Sequence, residues 1–94
     1  MRPTVTVRVT APDYVLLQEL GGEAVILSLK GGRYFTLDDV GTRMWHAVTT
    51  APSIAAARDA LIEEYDVEPE RLENELIDLV DKLAAEGLVE LREE

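Results

Sequence analysis

From Tyr14 onward, short apolar runs alternate with glycine pairs, and this spacing predicts strands. Tyr14 to Leu20 and Glu23 to Leu29 are rich in aliphatic and β-branched residues and are separated only by Gly21-Gly22. In such a two-residue turn a positive φ has no steric cost for glycine, so the pair reads as a β-hairpin. Lys30-Gly31-Gly32 makes a second turn into Arg33-Tyr34-Phe35-Thr36-Leu37, which adds a third strand and completes an antiparallel meander. Ahead of these strands, residues 1–12 end in Thr10-Ala11-Pro12 and read as a loose arm with a short edge strand through Val5, Val7 and Val9.

After Leu37 the apolar period becomes helical. Asp38 or Asp39 is placed to cap a helix through Val48, in which Val40, Met44 and Val48 repeat at i, i+4, i+8 with Trp45 beside them. Thr49-Thr50-Ala51-Pro52 interrupts it. Ser53 then caps a second helix ending near Tyr65, with Ile54, Ala57, Leu61 and Tyr65 on one stripe. Pro69 suits the first turn of a third, longest helix, to about Glu86, where Leu72, Leu76, Leu79, Val80 and Leu83 share a face. Gly87 sits where a left-handed C-cap belongs, with Leu88 folding back toward Leu83 or Ala84. Leu88 to Leu91 reads as a short terminal strand, and Arg92-Glu93-Glu94 as a disordered tail. The order predicts an α+β fold, winged helix-turn-helix-like, with a three-stranded meander followed by three helices. One domain over residues 1–94 is expected, divided into an arm (1–12), a sheet (13–37) and a helical part (38–91).

Composition narrows the function. The 94 residues fit one core, and no apolar run approaches the roughly 20 residues that span a bilayer, so no membrane partner is expected. The N-terminus lacks the apolar core of a secretory signal, which predicts a cytoplasmic protein. Cysteine is absent, so disulfides, thiol nucleophiles and thiolate metal sites are excluded. The net charge of −10, from 19 acidic and 9 basic side chains, argues against nucleic acid, whose binding depends on Lys and Arg displacing counterions.

No constellation of catalytic residues assembles. His46, the single histidine, lies inside a predicted helix without a second ligand for a metal. Ser28 falls in a strand and Ser53 at a cap, neither in a nucleophile elbow. Asp38-Asp39 precedes an apolar-periodic segment, the ordinary place for helix-capping acids, and Gly31-Gly32 lacks the helix that must open directly after a phosphate loop. The sequence therefore predicts a protein that is not an enzyme, with no cofactor and no metal.

Four segments together are more telling. Ala24-Val25-Ile26-Leu27-Ser28-Leu29-Lys30-Gly31-Gly32-Arg33-Tyr34-Phe35-Thr36-Leu37-Asp38, the helix with Met44-Trp45, Glu64-Tyr65-Asp66-Val67-Glu68-Pro69-Glu70, and Leu83-Ala84-Ala85-Glu86-Gly87-Leu88-Val89 resemble, in order and spacing, the PqqD-like family of RiPP recognition elements. Within that family the chain looks like the stand-alone leader-binding proteins of lasso-peptide biosynthesis, over roughly residues 14 to 91. Two positions depart from the family pattern: Asp38, where members often carry an equally capable Asn cap, and Glu68, where a shorter Asp caps better.

The resemblance implies a function. The leader segment of a ribosomally made precursor peptide docks as an antiparallel strand on the third strand, with side chains entering a groove against the third helix. The leader then passes to a cysteine-protease-like leader peptidase and to an asparagine-synthetase-like macrocyclase. The residues expected to bind peptide are Arg33, Tyr34, Phe35, Thr36 and Leu37 on the strand, and Leu72, Glu75, Leu76, Asp78, Leu79 and Lys82 on the helix. Their pattern agrees: the strand lacks the proline and lysine that usually blunt an edge, and Arg71, Glu75, Asp78 and Lys82 border the leucine stripe. Side chains alternate along a strand, so either Phe35 or the Tyr34 and Thr36 pair is free to face the groove. Two alternatives are a winged-helix DNA-binding protein and a generic interaction adaptor. The first conflicts with seven acidic and two basic side chains between Glu68 and Glu86, on the helix that would enter a major groove.

Overall fold

The computed structural model describes residues 3–93, and Met1, Arg2 and Glu94 lie outside them. Along the chain run β1 (Arg8–Thr10), β2 (Val15–Leu20), β3 (Glu23–Ser28), β4 (Tyr34–Leu37), α1 (Asp39–Thr50), α2 (Ile54–Ile62), α3 (Pro69–Ala85) and β5 (Glu90–Arg92). The three-stranded sheet has the order β2-β3-β4, antiparallel throughout, so β4 is an edge. Gly21 and Gly22, with φ of 64° and 87°, form the turn between β2 and β3 that the sequence predicts.

The strands alternate cleanly. In β3, Ala24, Ile26 and Ser28 are buried while Val25 and Leu27 face outward. The register pairs Ile26 with Phe35 and Ala24 with Leu37, which puts Phe35 and Leu37 on the same inner face. Against that face pack Met44, Trp45 and Val48 of α1, and beyond them Ile54, Ala57 and Leu61 of α2 and Leu72, Leu76, Val80 and Leu83 of α3. Each fully buried Leu or Ile contributes about 1.5–3 kcal/mol, which makes this single core the main source of stability.

The helix ends carry the chemistry their sequence suggests. Asp38 accepts the Gly41 N–H at 2.7 Å and Ser53 accepts the Ala56 N–H at 3.1 Å. Glu68 makes no side-chain capping bond, and Pro69 fills the first turn instead. At the far end Gly87 adopts φ 74°, while Leu88 N–H reaches the Leu83 carbonyl and Gly87 N–H the Ala84 carbonyl, a Schellman cap.

Both chain ends differ from expectation. Among its described residues the arm is not loose: Val7 and Val9 are core residues, the latter 1% exposed, and β1 pairs with β5 in a second, two-stranded antiparallel sheet. Carbonyls of Val5 and Val7 also accept the first N–H groups of α2, from Ala55 and Ile54. The expected tail is ordered through Glu93, because Arg92 lies in β5 and Glu93 accepts the hydroxyls of Thr4 and Thr6. Helix α2 stops at Ile62, short of Tyr65, whose N–H closes a turn on the Leu61 carbonyl.

Candidate peptide-binding groove

The groove begins with the backbone of β4. Ser28 N–H donates to the Arg33 carbonyl at 2.8 Å, which fixes the phase of the β3–β4 ladder. Since paired residues alternate between bonded and non-bonded positions, Phe35 and Leu37 direct their N–H and C=O groups to β3. Tyr34 and Thr36 direct theirs to the open edge. A row of unspent donors and acceptors at strand spacing is a template for an added strand.

Beside this edge lies a cleft of about 440 Å³ lined by Phe35, Thr36 and Leu37 of β4, by Asp38, by Val40, Gly41 and Met44 of α1, and by Glu75, Asp78, Leu79 and Lys82 of α3. Its charged members stand on α3, apart from Asp38 at the start of α1. A second cleft of about 300 Å³ continues from it, sharing Val40, Met44 and Glu75 and adding Tyr65, Asp66, Val67, Arg71 and Leu72. Arg43 of α1 forms an ion pair with Glu64, tying the helix to the turn that carries Tyr65. That contact holds the Glu64 carboxyl below its usual range through the guanidinium hydrogen bond, and the same bond raises Arg43.

Of the eleven residues singled out from the sequence, seven line the first cleft: Phe35, Thr36, Leu37, Glu75, Asp78, Leu79 and Lys82. The other four lie elsewhere. Arg33 is drawn away by an ion pair with Glu86 at 3.1 Å, and Tyr34 stands on the outer face of the sheet, 66% exposed. Leu76 is fully buried in the core, because it continues the stripe of Leu72, Val80 and Leu83, and Leu72 reaches only the second cleft. Of the two sets left open by strand alternation, Phe35 and Leu37 turn inward.

The contribution of α1 is absent from the sequence-based list. Val40 reads there as part of a core stripe, yet it is 42% exposed and lines both clefts. An apolar residue in the first turn of a helix, two positions after its N-cap, is the signal that locates it. Among the described residues no group of three or more His, Asp or Glu side chains could hold a metal ion, and no helix is long and apolar enough to cross a membrane.

Two solved structures share this architecture. One, TbiB1 in complex with the TbiA(beta) leader peptide, is 33% identical with a TM-score of 0.79, over 86% of this chain and 94% of that one. Another, lasso peptide synthetase B1 complexed with the leader peptide, is 22% identical with a TM-score of 0.78, over 88% of this chain and 98% of that one, a likeness of fold. No curated protein matches in sequence. The family model of coenzyme PQQ synthesis protein D (PqqD) matches residues 23–89, from β3 through the end of the α3 cap. By that match, which takes in the candidate groove and well over half of its length, the chain belongs to the PqqD family.

Proposed function

We propose that this chain binds the leader segment of a ribosomally made precursor peptide as a strand antiparallel to β4, and presents it in the cytoplasm to the enzymes of a lasso-peptide-type pathway. It has no catalytic step of its own: the leader peptidase and then the macrocyclase carry out the chemistry. The observation that carries this reading is an open β4 edge whose outward N–H and C=O groups adjoin an apolar cleft. Main-chain bonds to Tyr34 and Thr36 supply affinity, and the cleft supplies register by accepting alternate side chains. The complexes of TbiB1 and of lasso peptide synthetase B1 with leader peptides support it.

Titration of the isolated chain with the leader of the precursor encoded beside it tests the proposal. Saturable binding at about micromolar concentration is expected, and no binding up to roughly millimolar overturns it. With the peptidase added, cleavage at low substrate is faster when this chain is present, because tethering raises local concentration. The chain alone leaves the precursor's mass unchanged.

A further inference from the structure

The two clefts adjoin, sharing Val40, Met44 and Glu75, and the chain direction gives them an order. Arg33, just before β4, meets Glu86 just past the end of α3, while Val40, just past β4, shares both clefts with Glu75 in the first half of α3. Strand β4 therefore runs opposite to α3. A leader antiparallel to β4 runs parallel to α3, so the residues N-terminal to its strand segment pass from Leu37 toward Val40 and Arg71, into the second cleft.

The ends of this path differ in charge. Around the upstream end stand Asp38, Asp66 and Glu75, with Arg71 engaged by Glu75 at 3.7 Å. Toward the downstream end charges balance, with Lys82 beside Asp78 and Arg33 paired with Glu86. An apolar cleft lined by Val40, Met44, Tyr65, Val67 and Leu72 under an acidic rim suits an aliphatic side chain flanked by positive charge.

We propose that the second cleft receives the leader upstream of its strand segment, and that Asp38, Asp66 and Glu75 select leaders carrying basic residues there. This rests on the leader reading above and adds to it a second contact region and the charge of the ligand. The rim also disfavours a peptide docked in the reverse direction, since its basic segment would then lie away from Asp38, Asp66 and Glu75.

The test uses four synthetic versions of the leader of the precursor encoded beside this chain. In two, the three residues before the strand segment are all lysine or all glutamate; in two, the three residues after it are exchanged in the same way. At about 0.1 M salt, where the Debye length is about 10 Å, upstream lysines bind about tenfold tighter than upstream glutamates, whereas the downstream pair differs by less than about threefold. Raising the salt to about 1 M, with a Debye length of about 3 Å, removes most of the upstream preference. The double variant Asp66→Asn, Glu75→Gln shrinks it by about threefold at low salt, with folding intact because both positions are exposed. Equal affinities of the two upstream peptides, or an equal preference at both ends, overturn the inference while leaving leader binding standing. Binding by none of the four, nor by the natural leader, overturns leader binding itself and this inference with it.

Discussion

The sheet has two edges of the same chemical kind that differ in what stands beside them. The bond from Leu29 N–H to the Tyr14 carbonyl sets the phase of β2, so Leu17 and Glu19 direct backbone groups outward there, as Tyr34 and Thr36 do on β4. Strand β2 is longer, with six residues against four. Yet β4 adjoins the cleft between α1 and α3, while β2 lies two strands away from it. An open edge alone accepts any extended chain, whereas an edge beside pockets accepts one register and one sequence class. The adjoining cleft, not strand length, is what distinguishes the two edges.

The sharpest way to break this comparison is the same substitution on each edge. Thr36→Pro removes an outward N–H from β4 without removing a ladder bond to β3, and its ring clashes with an added strand. Leader affinity is expected to fall at least about tenfold, from one lost bond of about 1 kcal/mol and the steric obstruction, with circular dichroism unchanged. Glu19→Pro, matched on β2, leaves affinity within about twofold. Equal losses from both would mean that β4 has no special role.

Next in size is the cleft wall. Val40→Glu places a carboxylate among Phe35, Met44 and Leu79, and leader affinity should drop about tenfold because that charge is desolvated on binding. Its half-exposed position keeps the stability cost of the free protein below about 1 kcal/mol by urea unfolding. Arg33→Ala sharpens the boundary of the site: the ion pair with Glu86 is exposed at both partners, so both stability and leader affinity should change by less than about 1 kcal/mol.

The smallest effect concerns pH. Glu64 is held below its ordinary carboxyl range by Arg43, so the pair's contribution is fully present above the unfolded carboxyl value and is lost as pH falls through the lower folded one. Glu64→Gln should therefore flatten the acid limb of a thermal-stability profile and leave the neutral region nearly unchanged.

The sheet and most helix ends were legible because each rests on a local rule. Gly21-Gly22 permits the tight turn, Asp38 and Ser53 cap, and Gly87 closes α3 with a left-handed residue. The pairing of β1 with β5 was not legible, since it joins three-residue strands from opposite ends of the chain and no local pattern specifies the partner. The candidate groove divides the same way. Period-two alternation separates Phe35 and Leu37 from Tyr34 and Thr36 without saying which set faces the groove, and a leucine stripe on α3 does not reveal where core ends and groove begins. Leu72, Leu76, Val80 and Leu83 face the core, and Glu75, Leu79 and Lys82 flank it by one helical step. The share of α1 was hidden because Val40, Met44 and Val48 satisfy a core period, although the first of them lies in the opening turn beside the cleft.

Amide hydrogen exchange measured residue by residue, with and without saturating leader, addresses strand addition most directly. Free protein should exchange the outward amides of Tyr34 and Thr36 quickly, and bound leader should slow them at least about tenfold while the Glu19 amide on the other edge stays fast. Tight leader binding with Tyr34 and Thr36 exchanging as in the free protein would contradict the account.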